Sequence, residues 1–301
     1  MPHLAFATYA AVPALQPDDE RLAAALARRG GGVTAAAWND PAVTWDAFDA
    51  VVLRSTWDYY LDPAGFRAWL DAREAAGTPV LNPPPVVRWN LDKRYLRDLA
   101  GRGVAVVPTR WVEPGEPADL AALLAETGWD AVVVKPAVSA AAHETWRTAR
   151  ASAAADDARF RALAAGTVLV QPYLPEIERE GEWSLLFFGG AFSHAVRKRP
   201  RAGDFRVQPQ HGGVTTLETP PAALREAAER VLAAAGEATG CGAAALAYAR
   251  VDGCVVDGAF RLMELEVIEP TLFFTQAPEA AERAAAALLA AIGVGAPACD
   301  G

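Results

Sequence analysis

The first third of the chain alternates short, apolar, β-rich runs with helical patterns, and few folds accept that order. Residues 4–9, 33–37, 50–53 and 79–81 read as strands. Between them, 18–29 and 63–76 carry helical periodicity. The first of these is opened by Asp18 or Asp19 as an N-cap and stopped by Gly30, Gly31 and Gly32. Strands alternating with helices predict a parallel, doubly wound α/β sheet. The run Asn82-Pro83-Pro84-Pro85 then reads as a stiff, extended boundary, because a proline run disfavours helix.

The rest of the chain changes character. Helices are expected at 91–101 and 120–127, and strands at 131–135 and 167–173. The alanine-rich stretch 149–165 reads as helix, alanine being the best helix former. Runs at 182–188 and 192–198 flank Gly189-Gly190 and predict a hairpin. A helix at 222–235, strands at 244–251 and 260–267 and a closing helix at 279–291 complete an α+β second half. Three units are expected: 1–85, 86–170 and 171–301.

Composition narrows the function classes. With 52% hydrophobic and 22% charged residues among 301, a substantial core is expected rather than disorder. A net charge of -9 disfavours nucleic acid as partner, since phosphate binding rests on Lys and Arg. The three cysteines have no metal-ligand spacing, and their odd number suggests no disulfide framework. The four histidines form no zinc motif. The N-terminus lacks a basic n-region, and no segment is apolar for long enough to span a bilayer, so no membrane partner is expected and the cytoplasm is the expected address.

Chemistry concentrates in two places. Asp252 ends one strand pattern, and Glu264 and Glu266 end the next. Strand residues at i and i+2 share a face, so the two glutamates point the same way and Asp252 can join them from a neighbouring strand. Carboxylates gathered without basic partners suit a hard cation such as magnesium, or equally the glutamates of a solvated sheet face. Lys135 ends the apolar strand 131–135, where α/β sheets bind ligands, and Lys93 begins a helix. Two such lysines can neutralise a polyphosphate as point charges.

These segments, in this order, resemble the ATP-grasp superfamily. Asn90-Leu91-Asp92-Lys93 and Val134-Lys135-Pro136 look like its two ATP lysines. Gln171, Tyr173 and Leu174 look like its adenine-binding hinge, and Glu182 like its ribose contact. The loop from Asp204 to Gly213 resembles the segment in which an arginine, here Arg206, faces the phosphates. Asp252, Glu264 and Glu266 match the metal-ligand motifs, with Arg250 beside them. The resemblance implies ATP and Mg2+ (or Mn2+) as cofactors, and an ATP-grasp fold with the nucleotide between the central and C-terminal subdomains. Arg206 and Arg250 would stabilise the transferring phosphoryl group and the tetrahedral intermediate.

Two departures stand out. The second metal motif usually reads Glu-x-Asn, whereas Glu266 occupies its last position here, and Glu269 is an alternative ligand. The loop after Lys135 contains no glycine; Ser139 and His143 could add phosphate contacts. Longer strings, among them Arg54-Ser55-Thr56-Trp57-Asp58-Tyr59 and Glu266-Val267-Ile268-Glu269-Pro270, resemble the O-ureidoserine cyclo-ligase branch. That resemblance implies ligation through an acyl phosphate on a small amino acid derivative, ring-closing or intermolecular, by a protein that could be a homodimer. Arg54 and Asp58 are the residues expected to grip the carboxylate and ammonium of the substrate's head group. A catalytically silent nucleotide-binding scaffold is the rival reading.

Overall fold

The structure, a computed structural model, describes residues 1–201, 212–293 and 299. Its first sheet comprises β1 (His3–Thr8), β2 (Gly32–Ala37), β3 (Ala50–Leu53) and β4 (Val80–Leu81), in the order β2-β1-β3-β4 with every pairing parallel. Successive residues of β1 serve opposite faces. Leu4 and Phe6 pack with Leu22 and Leu26 of helix α1 (Pro17–Arg28), while Ala5 and Ala7 join Phe66 and Leu70 of α2 (Pro63–Ala75). Cover on both faces is why these strands are apolar at nearly every position. The doubly wound reading therefore holds.

Three local expectations fail. The residue before α1 is Gln16, which makes no side-chain cap; Pro17 opens the helix, and Asp18 and Asp19 sit in its first turn facing the helix dipole. The proline run is not extended throughout. Pro84 and Pro85 form the first turn of α3 (Pro84–Asn90), where a missing N–H costs nothing. A turn carrying Lys93 separates α3 from α4 (Tyr95–Gly101), so the single helix expected at 91–101 is shorter and starts later.

The second sheet contains β5 (Arg110–Val112), β6 (Ala131–Pro136), β7 (Trp146–Ala149) and β8 (Val168–Pro172), ordered β5-β8-β6-β7 and antiparallel throughout. Helices α5 (Leu120–Thr127) and α6 (Ala153–Leu163) share one core with it through Leu124, Phe160, Val134 and Val170. β8 reaches Pro172, so this sheet passes the boundary expected at 170.

After the short α7 (Glu176–Arg179), the third sheet is built from β9 (Glu182–Phe188), β10 (Ala191–Arg199), β11 (Val214–Leu217), β12 (Tyr248–Val256) and β13 (Ala259–Glu266). Its order is β11-β10-β9-β12-β13, all antiparallel. Trp183, Leu185 and Phe187 bury one face against α8 (Ala222–Thr239). Leu186 and Phe188 turn the other way, toward α9 (Ala280–Gly293) and the first sheet. The closing helix thus shares a core with α1, far from it in sequence. A Cys241–Cys299 disulfide ties the end of the chain to the turn after α8, against the reading from an odd cysteine count; Cys254 is the one left over, and it is buried. Among the described residues no helix is long and apolar enough to cross a membrane.

Candidate active site

A cleft of about 560 Å³ lies between the second and third sheets, with Trp57 and Tyr59 of the first unit on its wall. The second sheet contributes Lys135 and Gln171, and the loop after β6 contributes Ser139. The third sheet contributes Glu182, Lys198, Arg250, Asp252, Glu264 and Glu266. Glu182 and Ser184 lie on the face of β9 that also carries Leu186 and Phe188, so one strand supplies both polar wall and apolar seam.

Two bulges set the register of this wall. An unbroken two-residue hairpin through Gly189-Gly190 would place Arg197 opposite Glu182; an irregularity between Phe192 and His194 places Lys198 there instead. Likewise, the turn at Asp257-Gly258 would pair Asp252 with Met263, but a bulge at Asp252/Gly253 pairs it with Glu264. Gly253 permits this: a Cβ on it would lie 2.4 Å from the Arg261 carbonyl oxygen. Arg250 falls opposite Glu266.

The resulting charges are paired. Lys93, 7% exposed, donates to the Ser139 carbonyl at 2.8 Å and stands 3.1 Å from Glu264. Lys198 Nζ donates to Glu182 at 2.5 Å and lies 3.6 Å from Asp252. Arg250 grips Asp252 through Nε and Nη2, at 3.0 and 2.8 Å, and also pairs with Glu266. Ser184 donates to Asp252 as well. Burial alone would raise the Asp252 and Glu264 carboxyls, but Arg250 and Lys198 hold the first below the usual carboxylate range, and Lys93 and Lys135 the second. Burial prevails at Glu266, pushed up to about 7, and at Glu269, pushed up to about 8. Lys135 is shifted down by burial and by Lys93.

The expected residues are mostly brought together. Gln171 donates to Thr109 at 2.9 Å, and Tyr173 lies beneath the Arg147 guanidinium, 3.6 Å from its ring centroid, with Leu174 beside it on the cleft wall. In the glycine-free loop, Ala141 and Ala142 adopt left-handed backbone, the conformation glycine would take there. His143 packs on the ring of Tyr60, centroids 4.7 Å apart. Arg206 lies outside the described residues.

Three expectations need correction. The carboxylates are not short of basic partners, and among the described residues no group of three or more His, Cys, Asp or Glu is arranged to hold a metal unaided. Arg54, 2% exposed, turns away from the cleft to Asp19 at 2.7 Å and the Pro270 carbonyl at 2.9 Å, because it ends a strand beneath the seam between units. Asp58 accepts from Trp38 and Asn39, at 2.6 and 2.8 Å, so these two do not form a head-group clamp. Lys198 is the cleft residue that sequence reasoning missed; the Gly-Gly turn signalled the hairpin but not the bulge that delivers this lysine.

The donor set still suits a divalent ion of the magnesium type. Such ions take one or two carboxylates and complete their shell with phosphate oxygens and water. Glu264 and Glu266 present hard oxygens on one face of β13, beside lysines that phosphate could draw away.

Comparison with known proteins agrees with this geometry. Residues 4–82 match the family described as D-cycloserine synthetase DcsG, N-terminal domain. The cycloserine biosynthesis protein DcsG of Streptomyces lavendulae is 36% identical over 269 residues, 85% of this chain and 88% of that protein. A crystal structure of D-cycloserine synthetase DcsG matches with a TM-score of 0.85 and 33% identity, covering 96% of this chain and 99% of that one. D-alanine–D-alanine ligase from Bacillus anthracis, complexed with ATP, matches in fold at a TM-score of 0.68 and 17% identity, over 98% and 97% of the two chains. With the cleft, the sheet order and these likenesses in agreement, the chain belongs to the DcsG family of ligases with the ATP-grasp fold.

Proposed function

We propose that this protein is an ADP-forming ligase that activates the carboxylate of a small amino acid derivative and closes a ring on it, with O-ureido-D-serine as substrate. The observation that carries this reading is the convergence of Lys93 and Lys135 with Asp252, Glu264 and Glu266 in one cleft of a chain 36% identical to DcsG. The substrate carboxylate attacks the γ-phosphorus of ATP, giving an acyl phosphate and ADP. A nitrogen of the same molecule then attacks the acyl carbon, and phosphate leaves. Water must afterwards remove the carbamoyl group from the ring nitrogen if the product is to be cycloserine.

The protein's task is positioning and charge neutralisation. Lys93 and Lys135 bind the phosphates; Gln171, Tyr173 and Leu174 line the adenine end, and Glu182 receives the ribose. Glu264, Glu266 and Asp252 would hold magnesium, which supplies screening of the triphosphate against an incoming carboxylate. Arg250 steadies the transferring phosphoryl group, with Arg206 as its expected companion. Reliance on ATP suits a cytoplasmic enzyme.

An ADP-release assay with magnesium-ATP and O-ureido-D-serine tests the proposal, with the product followed by mass spectrometry. Substrate-dependent ADP release with a cyclised product supports it. A product that incorporates a second amine would make the enzyme an intermolecular ligase, and ATP binding without ADP release across small amino acids would leave a scaffold.

A further inference from the structure

Among the described residues, five carboxyl groups and four cationic side chains line the cleft. Three of the cations are engaged: Lys93 with Glu264, Lys198 with Glu182, and Arg250 with Asp252 and Glu266. The two groups left over are Lys135 and Glu269, whose side chains make no hydrogen bond or ion pair among the described residues. They are opposite in sign and differ in setting. Lys135 stands near the end of β6, next to the loop that holds Ser139. Glu269 follows β13 and is fastened to the first unit, since the Trp57 indole donates to its backbone carbonyl at 3.3 Å.

An unengaged cation beside the phosphate-binding lysine has an obvious claimant in the nucleotide. An unengaged carboxyl has no such claimant in the triphosphate, which repels it, and the ribose and the magnesium are already provided for by Glu182 and by Asp252, Glu264 and Glu266 in the reading above. We infer that Glu269 receives the ammonium group of the amino acid substrate. This deepens the function proposed above and rests on it. A carboxylate supplies only acceptors, and an ammonium supplies only donors. Trp57, Tyr59 and Phe273 line the same cleft, and aromatic faces favour a cation over a neutral group. The clamp expected of Arg54 and Asp58 is unavailable, as both are engaged elsewhere. With its ammonium at Glu269, a zwitterion turns its carboxylate away from this acid, toward the side where Lys135 draws the phosphates. The Glu269 carboxyl has its pKa pushed up, first by burial and then by Glu266 and Glu264, with Lys93 and Arg250 opposing. An arriving ammonium would lower it.

The test compares O-ureido-D-serine with its analogue lacking the amino group, in wild type and in Glu269→Gln and Glu269→Asp. Wild type should prefer the zwitterion in kcat/KM by about 100-fold, and Glu269→Gln should lose most of that preference, chiefly through KM. Glu269→Asp should keep part of it, and binding of a non-hydrolysable ATP analogue should be unchanged in both variants. Equal losses on the two substrates, unaltered preference in Glu269→Gln, or a raised magnesium requirement would each overturn the assignment; the last would make Glu269 a metal ligand. ADP release in wild type on neither compound would remove the function proposed above and this assignment together. ADP release with preference unaltered in Glu269→Gln removes only the assignment.

Discussion

Arg54 and Arg250 are both buried arginines held by carboxylates, yet their surroundings differ. Arg54 bonds to Asp19 and a backbone carbonyl, and lies 5.3 Å from the ring centroid of Tyr248. Nothing in that group lines the cleft. Arg250 shares Asp252 with Lys198, meets Glu266, and opens onto the cleft. The first set of charges is closed by protein and holds the seam between units. The second is closed by residues that a charged ligand can draw apart. Burial of an ion pair therefore does not reveal its use; what else borders it does.

The largest effect expected is on the closed side. Arg54→Met leaves Asp19 buried and unpaired and should cost about 3–5 kcal/mol in urea unfolding, with Arg54→Met/Asp19→Leu recovering most of it. Activity per folded molecule should hardly change. A raised KM for the amino acid at unchanged stability would return Arg54 to substrate binding and dissolve the contrast.

On the open side, Lys135→Met should weaken ATP binding about 100-fold by calorimetry, equivalent to about 2.7 kcal/mol, while the melting temperature barely moves. Lys93→Met should be comparably damaging. Arg94, a neighbour that could have replaced it, pairs with Asp92 on the surface instead. A loss confined to Lys135 would show that Lys93 serves Glu264 rather than phosphate.

The seam should also be the acid-sensitive region. His194, 7% exposed, hydrogen-bonds the Leu272 carbonyl, and burial holds its imidazole down at about 4. In the unfolded chain it titrates near 6.5, at about the ordinary value. The unfolded state binds the extra proton first, so stability contributed above pH 6.5 is lost as pH falls toward 4. The loss should be on the order of 2–3 kcal/mol, and His194→Gln should flatten that part of the stability profile. The smallest effect expected is that of Tyr248→Phe. Its hydroxyl is within 2.7–3.1 Å of the Leu53, Leu81 and Ile268 carbonyls, but one proton serves one acceptor at a time, so about 1–2 kcal/mol is at stake.

Much of this was legible in the residues. The helix Leu120–Thr127 could be bounded because Asp119 caps it and Gly128 ends it in left-handed backbone. The paired carboxylates of β13 followed from strand period alone. Tertiary displacement was not legible. Nothing local announces that α9 joins α1, or that Arg54, at the end of a sheet strand, is claimed by Asp19. The bulges at Phe192/His194 and Asp252/Gly253 were hidden too, since a one-residue slip depends on cross-strand packing rather than on the turn that starts the hairpin. The cleft could be inventoried from sequence, but the pairings inside it could not.

Among the described residues the far side of β13 has no neighbouring strand, and an exposed row of amides and carbonyls is a template for a foreign one. From Leu262 onward that row is occupied. Leu262 donates to Ala105 and accepts from Val107; Leu265 donates to the Tyr95 hydroxyl and gives its carbonyl to Asn90; Val267 gives its carbonyl to Asn82. The strand that carries Glu264 and Glu266 is thereby closed to polymerisation and to capture of an extended peptide along that edge. An extended guest would first have to strip away side chains of the same segment that carries Lys93.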